Sequence, residues 1–383
     1  MNKEEFEGAY GEINLREDDK WGTYFAFTPK PLPPTINFDQ KLALAISKAE
    51  RTVGKLSGVG LQLLNANLLI MPYLRKEALS SSRIEGTRIS LSDFLLSEAK
   101  GAEEQMPDAL EVANYIRAVN FALEKIKDEP INLELIKEIH RILMQGVRGK
   151  DRSPGQYRQI QNWIGPPNCK VQEANFVPPG PKEIIPLMES MINYLNQDDG
   201  MPLLLKCALM HYQFETIHPF SDGNGRIGRA LITLYLCKKK IIIKPLLYIS
   251  GYFEAHKREY SSLLLKTNKD GKFEEWIFFF LDALMIQSED ALQRAIKIQE
   301  LREEYRKKTQ RQSQSNNLLK LIDELFKNPY VRITTIETLL DVTYPTAKRL
   351  VETLVTLNIL KPNDSSQRNK IYFAHEIFDI INV

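Results

Sequence analysis

The amino-acid sequence predicts a mainly α-helical protein with a small β-hairpin and a C-terminal winged helix-turn-helix. Apolar residues recur at helical spacing through most of residues 39–307. A proline- and glycine-rich segment at residues 151–181 interrupts this pattern. It is too long for an ordinary connection, which favours a functional loop or hairpin. Residues 316–383 follow the order of a winged helix-turn-helix, with one helix, two short helices around a turn, and a polar-tipped hairpin.

The individual elements can be placed in order along the chain. Residues 1–36 include the proline-rich stretch "FTPKPLPPTI", so we expect an irregular, extended strap. Helical spacing starts near Asp39, and the helix around "LLIMPYLRKEALSSSRI" is expected to stop at Gly86, a residue type that commonly ends helices. Asp108 is placed to cap the N-terminus of a later helix. The glutamine-rich stretch after about Lys307 predicts a linker.

Length and composition indicate a soluble protein of two or three domains. The chain has 383 residues and a net charge of +2, so no whole-protein field favours nucleic acid or membrane. Three cysteines without a C-x-x-C pair indicate a reducing compartment. A polar N-terminus and the lack of a long apolar run predict a cytoplasmic protein without a membrane span. The predicted parts are a strap with N-terminal helices at 1–100, a central helical domain at 101–298, a linker at 299–315 and the winged helix-turn-helix at 316–383.

The stretch "IHPFSDGNGRIGRA" at residues 217–230 is the strongest chemical signal. Its three glycines have the spacing of a dinucleotide-binding turn, but such a turn follows a strand, and the preceding "LLLKCALMHYQFETI" has helical spacing. A phosphate-binding turn between two helices fits better, because glycines let backbone N–H groups converge on an anion at a helix N-terminus. Gly228 is expected only to permit close helix packing.

Charged side chains surround this turn at spacings that suit a nucleotide. Arg226 and Arg229 lie three residues apart, so both can reach the same phosphate chain. Asp222 offers the hard oxygen ligand that Mg²⁺ prefers. His218 lies where the entering helix ends and can take a proton from an attacking hydroxyl. The other histidines are scattered and predict no metal cluster.

The residues "HPFSDGNGR" followed by "IGR" resemble the Fic motif, H-P-F-x-D-G-N-G-R-x-x-R, with no departure at its defining positions. "IHRILMQG", "SPGQYRQIQNWIG", "FVPPGP" and "YSSLLLKTNKDGKFEEWIFFFL" extend the resemblance over roughly residues 40–290. It implies a Fic-type helical core with a β-hairpin flap, and residues 101–298 would be the catalytic domain. It further implies transfer of AMP from Mg-ATP to a Tyr, Thr or Ser hydroxyl of a protein, with release of pyrophosphate.

The resemblance also implies a role for each motif residue. The implied roles are general base for His218, magnesium ligand for Asp222, phosphate cradle for Gly223, Asn224 and Gly225, and contacts to the β- and γ-phosphates for Arg226 and Arg229. Phe220 would be an apolar anchor for the turn. Tyr260 and Asn268 are candidates for contacts near the adenosine, with core packing and loop polarity as the alternative.

A second segment, "SSRIEG" at residues 81–86, resembles the inhibitory signature of the family, [S/T]-x-x-x-E-[G/N]. The resemblance implies that Glu85 pairs with Arg229 and occupies the position of the γ-phosphate. The enzyme would then inhibit itself, because ATP could bind only in an unproductive pose. The alternative is a surface glutamate near a helix end.

The flap, at about residues 168–176, lies between two proline pairs. By analogy with the family it would be a hairpin that aligns the protein substrate by strand addition. A plain surface hairpin is the alternative. Self-modification remains open, and the sequence names no target.

The C-terminal module offers basic side chains for DNA, namely Lys348, Arg349, Arg368 and Lys370. Residues 316–383 nevertheless contain eight basic and eight acidic residues, so the module is neutral. Because phosphate contacts dominate non-specific DNA affinity, a protein-contact or homodimerisation role is favoured over DNA binding. Other functions on the same fold are removal of AMP, transfer of another nucleotide or phosphate, and nucleotide sensing by a DNA-binding regulator.

Overall fold

The computed structural model describes residues 1–62, 67–101, 106–147, 153–310, 315–363 and 370–382. The helices are α1 (Gln40–Gln62), α2 (Asn67–Ile84), α3 (Leu91–Lys100), α4 (Pro107–Lys125), α5 (Leu133–Leu143), α6 (Ile184–Asn196), α7 (Leu203–Ile217), α8 (Asn224–Lys238), α9 (Ser250–Ala255), α10 (Lys257–Asp270), α11 (Glu274–Gln310), α12 (Asn316–Lys327), α13 (Ile333–Leu340), α14 (Tyr344–Thr356) and α15 (His375–Asn382). The strands are β1 (Gly11–Asp18), β2 (Gly22–Pro29), β3 (Tyr330–Arg332), β4 (Lys361–Pro362) and β5 (Ile371–Phe373). The mainly α-helical class is confirmed.

The N-terminal segment is more regular than the sequence pattern predicts. β1 and β2 form an antiparallel hairpin in which Gly11 pairs with Pro29 and Asp18 pairs with Gly22. The expectation of an irregular strap is therefore wrong for these strands. Ala26 and Phe27 are neighbours on β2, so they point to opposite faces, yet both are fully buried. Burial of both faces removes the alternation that would have marked a strand.

Helix α7 belongs to the main core and is buried on nearly all sides, including polar residues such as Lys206 and His211. Trp276 of α11 donates its indole N–H to the Ala208 carbonyl at 2.9 Å. Helix α8 packs closely against α7 at Gly228, where an added Cβ would lie 2.3 Å from Oε1 of Glu215 and 3.1 Å from the Phe214 ring. The expected packing role of Gly228 is therefore confirmed.

Helix α11 continues beyond the predicted start of the linker. Residues 299–310, placed in a linker by composition, belong to this helix, and residues 311–314 lie outside the described residues. Its C-terminal half packs against the C-terminal module: Tyr305 donates to Glu376 at 2.6 Å, and Arg302 pairs with Asp323 at 2.7 Å. These tertiary contacts stabilise helical turns that a polar sequence alone does not demand.

The C-terminal module contains helices α12 to α15 and strands β3 to β5, and its assignment as a winged helix-turn-helix stays a prediction. Helices α13 and α14 lie between β3 and β4 in the chain, and the strands form a three-stranded sheet of order β3-β5-β4. The module packs on the N-terminal helices, because Arg75 of α2 donates to the Lys327 carbonyl and Ser92 hydrogen-bonds Tyr330 at 2.8 Å. Lys348 is exposed and lies 3.7 Å from Glu352, whereas Arg368 lies outside the described residues. No helix in the described part of the chain has the length and apolarity to cross a membrane.

Candidate active site

The motif forms a tight turn between α7 and α8. The helix α7 ends at His218, which adopts the left-handed conformation (φ 50°, ψ 58°) and donates its N–H to the Phe214 carbonyl at 3.0 Å. Gly223 is also left-handed (φ 79°) and begins α8. Left-handed backbone at both positions reverses the chain within a few residues. His218 and the N-terminus of α8 are thereby brought to one turn.

Asn224 holds this turn together from inside. Its side-chain oxygen accepts from the Phe220 N–H at 2.8 Å, and its amide donates to the Phe220 carbonyl at 2.7 Å. Phe220 is fully buried and stacks on His140 with ring centroids 3.9 Å apart. Asn224 therefore acts through its side chain as well as its backbone, and Phe220 is the apolar anchor that the motif implied.

His218 is arranged as a proton acceptor. Its Nδ1 lies 3.3 Å from the Glu215 carbonyl, an acceptor that places the proton on Nδ1 and leaves Nε2 free. Burial, followed by the positive charge of Arg158, lowers the pKa of His218 to about 4. The imidazole is therefore neutral near pH 7.

Arg226 is a buried cation with spare hydrogen-bonding capacity. Its Nε and Nη1 have no hydrogen-bond partner, and its nearest carboxylates are Asp222 at 3.6 Å and Glu111 at 3.9 Å. Buried N–H groups without acceptors are costly unless a ligand satisfies them. The site is therefore suited to an anion such as phosphate.

Asp222 presents its carboxylate at the start of the same turn, with the side chain 38% exposed. Its Oδ1 accepts from the Gly223 N–H at 2.6 Å. Among the described residues, no group of three or more His, Cys, Asp or Glu side chains could hold a metal ion. Mg²⁺ commonly binds through one or two carboxylates together with substrate phosphates and water. Asp222 fits that mode as the single protein ligand.

Arg229 pairs with Glu85, which follows the end of α2. Nη2 of Arg229 lies 2.6 Å from Oε1 of Glu85, and Ser81 accepts from the same guanidinium through its hydroxyl and its carbonyl, both at 2.9 Å. Burial raises the pKa of Glu85, but Arg229 outweighs it and holds the pKa below its usual range. An added Cβ on Gly225 would lie 2.2 Å from that carboxylate. Glu85 thus covers the N-terminus of α8, where an anion would bind.

A cavity of about 520 Å³ opens beside the turn. His218, Gly225, Arg229 and Glu85 line it, whereas Asp222 and Arg226 are not among its lining residues.

Tyr260 and Asn268 also line this cavity, and both are buried. The Tyr260 hydroxyl lies 2.8 Å from Nε2 of His211, and the side-chain oxygen of Asn268 accepts from Tyr212 at 2.6 Å and Thr216 at 3.1 Å. The two positions therefore combine core packing with access to the cavity, and a contact to adenosine stays a prediction.

Three polar residues of the site were not predicted from the sequence. Arg158 is buried and donates to the carbonyls of His218, at 2.9 Å, and of Pro179, so it ties the motif turn to the flap segment. Nδ1 of His140 accepts a hydrogen bond from the Gly155 N–H at 2.8 Å, and Nε2 of the same ring lies 3.1 Å from the Asp222 carbonyl oxygen.

Glu215 is the third of these residues. It lines the cavity, its Oε1 has no hydrogen-bond partner, and burial raises its pKa to about 7. Its sequence signal is a carboxylate in a helix whose residues are nearly all buried.

The flap differs from the expected hairpin. Ile164 and Phe176 exchange two backbone hydrogen bonds of 2.8 and 3.0 Å as an isolated bridge. Between them, Val171–Glu173 forms a 3-10 helix. The expectation of a hairpin at residues 168–176 is therefore wrong in detail, because the strand pairing lies at its base and the tip is helical.

Two family models cover adjacent segments of this chain. Residues 130–236 match the Fic/DOC family, and residues 43–124 match the N-terminal region of the Fic/DOC family. The chain belongs to the Fic/DOC family. The motif turn and Glu85 both fall within the matched segments.

Similar proteins have been described in bacteria and insects. This chain is 27% identical over 179 residues to a probable protein adenylyltransferase of Aquifex aeolicus. The aligned residues cover 45% of this chain and 51% of the relative. It is 28% identical over 211 residues to the protein adenylyltransferase Fic of Culex quinquefasciatus. Here the aligned residues cover 52% of this chain and 38% of the relative. The chain thus spans about half or less of these curated relatives.

A crystal structure of a Fic family protein from Desulfovibrio desulfuricans shares the fold. Its TM-score is 0.58 at 19% identity, and the match covers 90% of this Fic/DOC chain and 98% of that chain. The match therefore supports a Fic fold for most of the molecule.

Proposed function

We propose that this Fic/DOC protein is a protein adenylyltransferase, which transfers AMP from ATP to a Tyr, Thr or Ser hydroxyl of a protein and releases pyrophosphate. The observation that carries the proposal is the motif turn, where a neutral His218 and the buried Arg226 and Arg229 surround the N-terminus of α8. The curated relatives from Aquifex aeolicus and Culex quinquefasciatus bear the name protein adenylyltransferase, which supports it.

The reaction would follow from these groups. The substrate hydroxyl oxygen forms a bond to the α-phosphorus while the bond from that phosphorus to the oxygen bridging to the β-phosphate breaks. Pyrophosphate leaves with the electron pair, and the hydroxyl proton passes to Nε2 of His218. Arg226, Arg229 and the N–H groups of α8 would bind the phosphates and stabilise the leaving group, which accords with a reaction that depends on positioning and charge neutralisation. Mg²⁺ bound through Asp222 would neutralise further phosphate charge.

Glu85 would inhibit this reaction in the resting protein. Its carboxylate pairs with Arg229 at 2.6 Å and lies against Gly225, so it competes with a terminal phosphate for the same guanidinium and the same helix N-terminus. ATP would then bind without its γ-phosphate in place. Displacement of Glu85 would release the arginine for the nucleotide.

The substrate protein would approach along the flap. Trp163, Ile164 and Gly165 line the cavity close to His218, and backbone pairing with an extended segment would place a side-chain hydroxyl there. Since such pairing reads backbone more than side chains, the target is left open. For the neutral C-terminal module we favour a protein contact over DNA.

Mass spectrometry tests the proposal directly. The Glu85→Gly form, incubated with Mg-ATP and a cleared cell lysate, is expected to leave an AMP-sized adduct on protein. Glu85→Gly combined with His218→Ala is expected to leave none. A phosphate-sized adduct would instead indicate a kinase-like transfer. The absence of any adduct would reject adenylyl transfer and favour a nucleotide sensor.

A further inference from the structure

The hairpin of β1 and β2 shares an apolar cluster with the flap, separate from the main core. Fully buried Phe27 lies at its centre and contacts Phe6 and Phe176, with ring centroids 6.0 and 5.7 Å apart. Val171 and Val177 of the flap segment are buried in the same cluster. The hairpin lies outside the two segments that match the family models, the first of which begins at residue 43.

Polar contacts join the same two segments along their length. The Phe27 N–H donates to the Val177 carbonyl at 2.9 Å, so the flap segment is hydrogen-bonded to β2. The side-chain amide of Gln172 donates to the carbonyls of Trp21, at 2.7 Å, and Thr23, at 3.2 Å. These bonds fasten the helical tip of the flap to the turn between β1 and β2.

An aromatic pair extends this junction to the cavity wall. Trp21 packs edge-on against Trp163 with centroids 5.5 Å apart. Trp163 lines the cavity and donates its indole N–H to the Cys169 carbonyl at 3.0 Å, which ties it to the flap tip. The hairpin therefore contacts a residue that lines the same cavity as His218.

The flap needs such external support. Its own strand pairing in the described residues is the single Ile164–Phe176 bridge, and even a complete two-stranded hairpin is marginal in water. By contrast, the arginines of the motif turn have independent support, because Arg229 donates twice to Ser81 and Arg226 lies near Asp222.

We propose that the hairpin of residues 11–29 is a positioning element that holds the flap in place for the protein substrate. This inference rests on the proposed adenylyl transfer. The hairpin would set how well a hydroxyl is presented to His218, while nucleotide binding would be independent of it.

Three single variants in the Glu85→Gly background test this role. Trp21→Ala removes the edge contact with Trp163. Gln172→Glu keeps the shape of an exposed side chain but turns a carboxylate toward two carbonyl oxygens, so it opens the junction without emptying the apolar cluster. Leu15→Ala is the matched control, since Leu15 lies on β1 of the same hairpin and is 57% exposed.

Amide hydrogen exchange gives the readout that does not depend on activity. Exchange at Ile164 and Phe176 is expected to be about tenfold faster in Trp21→Ala and Gln172→Glu, and unchanged in Leu15→Ala. Labelling of lysate proteins from α-labelled ATP is expected to fall about tenfold in the same two variants, because small misplacements of reacting groups are costly. Affinity for a non-hydrolysable ATP analogue should stay within about twofold.

Each result separates the two proposals. Unchanged exchange at Ile164 and Phe176 in both junction variants would overturn the positioning role. A loss of nucleotide affinity equal to the loss of labelling would overturn it as well. If the parent Glu85→Gly protein labels nothing, adenylyl transfer fails, while the exchange rates still decide whether the hairpin supports the flap.

Discussion

Replacement of Glu85 by glycine should activate the protein. In the structure Glu85 follows the last turn of α2, so its loss removes the carboxylate without interrupting a helix. Arg229 is 1% exposed and keeps its two bonds to Ser81, which leaves the guanidinium in place. The vacated space at Gly225 then becomes available to a terminal phosphate. The expected result is faster transfer with an unchanged fold.

The size of the activation follows from the strength of the contact. A hydrogen bond to a charged group contributes about 1.5–3 kcal/mol. The Glu85 side chain is 40% exposed, so solvent screening favours the lower part of that range, about 1.5–2 kcal/mol. Since about 1.4 kcal/mol corresponds to a factor of ten, kcat/KM for Mg-ATP should rise roughly 10- to 30-fold. Glu85→Gln, which keeps the shape and loses the charge, should give an intermediate rise.

The assay measures initial rates of transfer from α-labelled ATP at several nucleotide concentrations. Glu98→Gln is the matched control. Glu98 of α3 forms an ion pair of 2.9 Å with Arg75 of α2, the helix that precedes Glu85. The rate of this control variant should equal that of the wild type. The activation should also persist between about pH 5 and 8, since Arg229 holds the pKa of Glu85 below its usual range and the carboxylate stays ionised there.

Two outcomes would refute this reasoning. Equal kcat/KM for wild type and Glu85→Gly would remove the inhibitory role. Equal activation by Glu98→Gln would show that loosening α2, and not freeing Arg229, raises the rate.

Three further predictions concern the motif turn, each measured in the Glu85→Gly background. Burial and Arg158 lower the pKa of His218 to about 4, so the base is unprotonated above that pH. We therefore expect kcat/KM to stay constant down to about pH 5 and to fall at lower pH. A fall centred near pH 6.5 would contradict the assignment of His218 as the base. Arg226→Gln should weaken binding of an ATP analogue about 10- to 100-fold, measured by calorimetry, because a charge-assisted contact of about 1.5–3 kcal/mol is lost. Unchanged affinity would show that Arg226 does not bind the phosphates. Asn224→Ala should lower the free energy of unfolding by about 2–3 kcal/mol in urea titrations, because the backbone N–H and carbonyl of Phe220 both lose their partner. A decrease below about 0.5 kcal/mol would show that the turn is stable without this side chain.

Local sequence was sufficient to predict the helical elements around the site. The glycine-containing turn between α7 and α8 and the end of α2 close to Gly86 follow from residue types within one or two turns. The spacing of Arg226 and Arg229 follows equally from helix geometry. The resemblance of "SSRIEG" to the inhibitory signature of the family predicted the pairing of Glu85 with Arg229, and the two side chains lie 2.6 Å apart.

Long-range packing decided the features that the sequence pattern missed. Arg158 and His140 fix the motif turn through backbone carbonyls, and such bonds leave no periodic signal in either segment. The polar end of α11 stays helical because it packs against the C-terminal module. Strand β2 buries both Ala26 and Phe27, so it lacks the alternation that marks a half-exposed strand. Local propensity therefore determined the helices and the motif turn, whereas the surroundings of that turn depended on contacts between residues far apart in the chain, which only the folded structure brings together.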